Sequence, residues 1–205
     1  MEQNNEMTAQ ESLQLIARTL DNSRKDILRG SAKYYVLWGT LLTFFSLLVY
    51  FLWKHTGNAY WNNLWFIMPV IGFLLAKGME GREGAVRSEN VISRISGGIW
   101  SAFGIFACSV ALFHLLFPLF NANLIGTIAV GTSLSAQIIL LFGFAEAING
   151  IALKNWVVTI AGFLTGIGGL ALYYGIGLFE EQMFLFTFAG VVLAATGLIV
   201  KHQYK

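Results

Sequence analysis

Four polar residues set in long apolar surroundings are the first candidates for chemistry: His114, Gln137, Glu146 and Asn149. Glu146 and Asn149 are three residues apart, which places a carboxylate and a carboxamide on one face of a helix. That pair can bind a cation or hold a proton at the mouth of a helix bundle. The other reading of Glu146 is an acid at the membrane boundary paired with a base such as Lys77 or Lys154. Gln137 either bonds a neighbouring helix, a contact worth roughly 0.6 kcal/mol in a membrane, or lines a path for substrate. His114 is either a neutral histidine reaching the water boundary or a proton-linked ligand. Together the four define a candidate polar path. The other histidines, His55 and His202, are dispersed along the chain, and the single cysteine, Cys108, stands in an apolar run. That leaves no metal-ligand spacing, no disulfide framework and no expected cofactor. Phosphate-loop, zinc-hydrolase and acyl-transfer motifs are missing, so no catalytic residue is assigned.

The elements that must position these residues follow from composition. Of 205 residues, 56% are hydrophobic and only 12% charged, about half the charged fraction of a soluble domain. Such a chain can hide its apolar surface in lipid but not in water. A net charge of +2 gives no basis for nucleic-acid binding. The apolar runs are continuous rather than alternating, which excludes barrel strands. The expected class is therefore all-α, an integral membrane bundle of six transmembrane helices. The spans fall at about 34–53, 62–77, 98–118, 123–144, 155–178 and 183–200, each near the twenty or so residues a bilayer requires. Pro69 is expected to kink the second.

Ahead of the first span, residues 1–33 predict a cytoplasmic amphipathic helix. Thr8 and Glu11 form a capping box. Leu13, Ile16, Leu20 and Ile27 share one face, and Gly30 is the expected stop. This thin stripe suits a helix resting on the membrane surface or against a partner. The segment lacks the basic and apolar blocks of a signal peptide, so the first span is expected to act as the insertion signal. Residues 201–205 form a short tail.

Orientation comes from the basic residues. Twelve of the thirteen lysines and arginines fall before span one, between spans two and three (Lys77, Arg82, Arg87 and Arg94), at Lys154 or after span six, and only Lys54 falls on the other side. Lysine and arginine are retained in the cytoplasm, so both termini are expected there. Tyr34, Tyr35, Trp38, Trp100 and Trp156 mark the inner boundary, and Tyr50, Trp53, Tyr60, Trp61, Tyr173 and Tyr174 the outer one. Gly162 and Gly166 form a GxxxG pair that lets two helices approach closely. Trp38, Trp100 and Trp156, with the glycine pairs Gly72/Gly78, Gly143/Gly150 and Gly190/Gly197, are compatible with three hairpin repeats.

The run Lys25-Asp26-Ile27-Leu28-Arg29-Gly30-Ser31-Ala32-Lys33-Tyr34-Tyr35-Val36-Leu37-Trp38-Gly39, leading directly into a span, resembles a family of uncharacterised bacterial six-helix, multi-pass membrane proteins. The resemblance implies a plasma (inner) membrane location. It brings no activity and no functional residue.

Three functional classes follow. The first is a non-catalytic scaffold or regulator that engages a cytoplasmic or membrane partner through the N-terminal helix and the 78–97 loop. The second is a small transporter or channel for an ion or small solute, with Gln137 and Glu146 lining the path. A membrane-embedded enzyme would need Glu146, His114 and the loop acids to converge, which their expected depths oppose. Membrane lipid, a protein partner and a second copy of the chain are the expected partners.

Overall fold

The computed structural model describes residues 8–80, 91–120, 134–175 and 179–204, and among these there are helices and no strands. Six helices carry the fold: α1 Ala9–Thr56, α2 Leu64–Glu80, α3 Val91–Phe120, α4 Leu134–Ala152, α5 Trp156–Gly175 and α6 Met183–Gln203. All six lie in segments long and apolar enough to cross a membrane. Much of the exterior is apolar: Phe66, Phe73 and Leu74 on α2, and Ile105, Phe106 and Phe113 on α3, are exposed. In a bundle surrounded by lipid this is the stable arrangement, because the tails are as apolar as the side chains.

α1 departs most from the sequence expectation. It is one helix of 48 residues, about 72 Å long at the helical rise, and it runs through Gly30 without a break. Glycine inside a helix costs about 1 kcal/mol. Here Leu28 and Ala32, both 1% exposed, pack into the core on either side of it, and burial of a leucine alone outweighs that cost. Consequently the N-terminal segment continues the axis of the first apolar span instead of lying across it. Its start is as expected: the Thr8 hydroxyl accepts from the Glu11 backbone N–H, and the Glu11 carboxylate accepts from the Thr8 N–H at 2.9 Å. Arg24 Nε donates to the Ala152 carbonyl at 3.4 Å, level with the end of α4. The residues before it reach beyond that end, where Leu13, Leu15 and Ile16 are exposed.

The remaining boundaries shift in the same direction. α3 begins at Val91, so residues 91–97 of the expected loop are helical; residues 81–90, with Arg82, Glu83, Arg87 and Glu89, lie outside the described residues. α4 runs to Ala152 rather than ending near 144, and the first part of the expected fourth span, 123–133, lies outside the described residues. Pro69 sits within α2.

Two close seams organise the bundle. In the first, α1 meets α6: a Cβ on Gly39 would collide with the backbone of Ala194 and Gly190, and one on Gly197 with Ala32 and Val36. In the second, α4 meets α5: a Cβ on Gly143 would overlap Gly166, one on Gly162 would overlap Ala147, and one on Gly150 would overlap Thr159. The second seam includes the expected GxxxG pair. The seams join spans one with six and four with five, so close packing does not follow three successive hairpins. Of the other glycine pair, Gly72 accommodates the Trp38 ring and Gly78 meets nothing within 4 Å.

A tight turn sets the α4–α5 register. The Asn155 N–H donates to the Gly150 carbonyl at 2.9 Å and the Lys154 N–H to Ile151 at 3.0 Å, the paired bonds that close a helix C-terminus. Lys154 takes the left-handed position, with φ 51°. Asn155 then caps α5 by accepting from the Val158 N–H at 3.1 Å.

Candidate functional site: a buried polar cluster between α1, α4 and α5

Because α4 continues past residue 144, Glu146 and Asn149 lie inside the helix, not at its mouth. Glu146 is 0% exposed and Asn149 1%. Glu146 is six residues from the end of α4, about 9 Å along the axis. Neither oxygen of its carboxyl has a hydrogen-bond partner, so the expected pairing with Lys77 or Lys154 is not formed. Lys154 sits exposed in the turn beyond the helix end.

Asn149 faces α1. Its Nδ2 donates to the Tyr35 hydroxyl at 2.8 Å, which turns its Oδ1 away, and that oxygen has no partner. Tyr35 is itself buried, one residue of the stripe Leu28, Ala32, Tyr35 and Gly39 that α1 presents to the bundle.

The third side comes from α5. Residues Leu164–Gly168 form a π turn within that helix. Such turns widen the helix by one residue and recur at functional sites. This one contains Thr165, which is fully buried and lies beside the Glu146 carboxyl. The Thr165 hydroxyl makes no hydrogen bond of ordinary geometry.

Four buried oxygens therefore stand unpartnered: both from Glu146, Oδ1 of Asn149 and Oγ1 of Thr165. Among the described residues these are the only buried side-chain polar atoms in that condition. The contrast with the rest of the interior is plain. Ser46 bonds the Thr43 carbonyl and the Thr187 hydroxyl, at 3.0 and 2.8 Å, and Thr196 bonds the Val192 carbonyl at 2.8 Å. Buried polar atoms without partners are rare because each forfeits its hydration for nothing. Four in one part of the interior, including a carboxyl group, mark this cluster as the candidate site.

The other two sequence candidates are elsewhere. Gln137, half-buried, precedes Glu146 by nine residues, about 13 Å and two and a half turns, and so occupies the opposite face of α4. His114 Nδ1 lies 2.9 Å from the Val110 carbonyl of its own helix. The Trp100 and Phe103 rings of α3 lie 5.7 and 5.5 Å from Phe142 of α4, and His114 is eleven residues beyond Phe103, about 16 Å further along α3. The structure thus brings Glu146 and Asn149 together and leaves Gln137 and His114 out of the cluster.

Tyr35 and Thr165 were not among the sequence candidates. Tyr35 reads as one more aromatic at a membrane boundary, although its place on the Leu28–Ala32–Gly39 stripe is a signal that its hydroxyl points inward. Thr165 adjoins the GxxxG glycine Gly166, where a polar side chain in a close seam is the signal. Among the described residues no group of three histidine, cysteine or acidic side chains could hold a metal.

No family model matches the chain, and neither does any curated protein or solved structure.

Proposed function

We propose that this is a bacterial inner-membrane protein of six transmembrane helices, both termini cytoplasmic, that moves an ion or small solute across the membrane with Glu146 as its charge-bearing group. The reading is supported above all by the unpartnered Glu146 carboxyl at 0% exposure. An ionisable side chain buried at membrane depth is expensive and marks a functional path. The π turn beside it supports the same reading, since a wide turn is a place where a helix changes local geometry at low cost.

The test is flux in proteoliposomes made with the full chain, measured under imposed sodium, potassium and proton gradients. Wild-type vesicles are expected to dissipate at least one gradient and Glu146→Gln vesicles to leak at the empty-vesicle rate. Gln137→Ala is expected to behave as wild type. Equal flux through wild type and Glu146→Gln, or no flux through either, overturns the proposal.

A second reading rests on a separate observation. The N-terminal end of α1 extends beyond α4 with Leu13, Leu15 and Ile16 exposed, which supports a scaffold or regulator holding a cytoplasmic partner there and through the 78–97 segment. Deleting residues 1–20 should release such a partner during gentle purification. Identical co-purifying material with and without the deletion removes this reading.

A further inference from the structure

We infer that Glu146, Asn149 and Thr165 form a binding site for one dehydrated monovalent cation, for which sodium is the probe. The inference rests on the reading of this cluster as a ligand site, and it names the ligand.

The donor set decides the class. All four unpartnered atoms are oxygens: two from a carboxylate, one amide oxygen and one hydroxyl. Hard oxygen donors select hard cations, whereas transition metals favour imidazole and thiolate, neither of which stands in the cluster. Charge decides the valence. The cluster holds a single carboxylate, so a monovalent ion leaves it neutral, while a divalent ion would leave a net positive charge in apolar surroundings. Coordination number separates a metal ion from a proton. A proton on Glu146 supplies a single donated bond and reaches one acceptor. One cation with several ligands satisfies all four atoms at once.

Space decides the hydration. At Gly143, Ala147 and Gly150 the α4 backbone lies in direct contact with α5, with no room for even a Cβ at the glycines. A gap of that width does not admit an ion with its water shell. Tyr35 completes the arrangement as a positioning residue. By accepting from Asn149 Nδ2 it fixes the amide and leaves Oδ1 as the free end, and it links the site to α1.

The test is an equilibrium measurement on the purified full chain in detergent, in sodium-free buffer with choline as the replacement cation. Thermal unfolding is followed on titration with sodium chloride, potassium chloride, magnesium chloride and choline chloride. Sodium is expected to raise Tm along a saturating curve by about 5 °C, the size of shift given by a ligand well above its Kd. Asn149→Ala and Thr165→Val should weaken the apparent affinity at least tenfold, and the isosteric Glu146→Gln should abolish the response. Ser46→Ala, in the other seam, should lower the starting Tm and keep the full sodium shift. A wild-type Tm indifferent to sodium overturns the inference, as does a shift that survives in Glu146→Gln or one that magnesium reproduces at equal ionic strength. A saturating sodium shift in a protein with no flux supports the site and removes the transport proposal. Glu146-dependent proton flux without any sodium shift does the reverse.

Discussion

The α1–α6 and α4–α5 seams are built with the same device and differ in what they leave unfinished. Each is lined by glycines that let backbones touch: Gly39, Gly190 and Gly197 in one, Gly143, Gly150, Gly162 and Gly166 in the other. In the α1–α6 seam the polar groups are hydroxyls, and each is bonded, Ser46 to Thr187 and Thr187 to the Met183 carbonyl. In the α4–α5 seam the Thr159 hydroxyl is likewise bonded, to the Asn155 carbonyl at 3.0 Å, but a carboxyl, an amide and a second hydroxyl there carry four orphaned oxygens. Glycine content therefore reports only on packing. The difference between a strut and a site lies in whether the buried polar atoms are satisfied.

That comparison can be attacked at several points. The largest effect is expected from bulk in either seam. Gly143→Leu or Gly39→Leu forces a side chain into a facing backbone and should cost about 3 kcal/mol or more, read as loss of monodisperse protein in detergent. Gly104→Leu, at a position with nothing within 4 Å, should purify normally. If Gly143→Leu is as well behaved as Gly104→Leu, the α4–α5 seam is not as close as described.

The hydroxyls come next. Ser46→Ala removes a satisfied buried bond and should cost about 1 kcal/mol, seen as a lower Tm. Thr165→Val removes a hydroxyl that has no partner and, in sodium-free buffer, should leave Tm unchanged or raised. A Thr165→Val protein as destabilised as Ser46→Ala would show that both seams are merely structural.

A smaller gain is expected at the turn that registers α4 against α5. Lys154 holds φ 51°, where a Cβ costs about 1 kcal/mol, so Lys154→Gly should raise Tm by a few degrees and leave the α1–α6 seam untouched. A drop in Tm would mean that the lysine makes a contact there outweighing its backbone strain.

The smallest effect belongs to the cap of α1, remote from both seams. Hydrogen bonds from the Thr8 N–H and hydroxyl hold the Glu11 carboxyl below its ordinary value of 4.5. A lowered folded value means that the cap is at full strength above pH 4.5 and is lost as pH falls through the lower value. Hydrogen exchange at residues 9–13 should therefore accelerate, relative to its intrinsic rate, on acidification below that range. Thr8→Ala should remove the dependence, and exchange in the rest of the bundle should stay unchanged.

Much of this architecture was legible residue by residue. The apolar runs gave six helices of spanning length because only long helices satisfy their own backbone in lipid. The capping box at Thr8 and Glu11 was legible because both partners lie three residues apart. Glu146 and Asn149 were legible as a pair for the same reason. Element ends were less so. Gly30 reads as a stop, yet Leu28 and Ala32 gain more from packing than glycine costs. Span four reads as ending near 144, with Glu146 and Asn149 at its mouth, because they break the apolar pattern, whereas the helix carries them inward.

Local sequence, then, was enough for whatever depends on neighbours within a few positions: helix, cap, glycine spacing and the excess of basic residues at one set of ends. It could not decide which polar groups meet. Gln137, His114 and Glu146 look equivalent along the chain, and Tyr35 lies more than a hundred positions from the amide it orients. Contact between them depends on helix phase and on the depth at which the glycine seams lock α1, α4 and α5 together. Those quantities arise from side chains fitting against side chains across helices far apart in the chain.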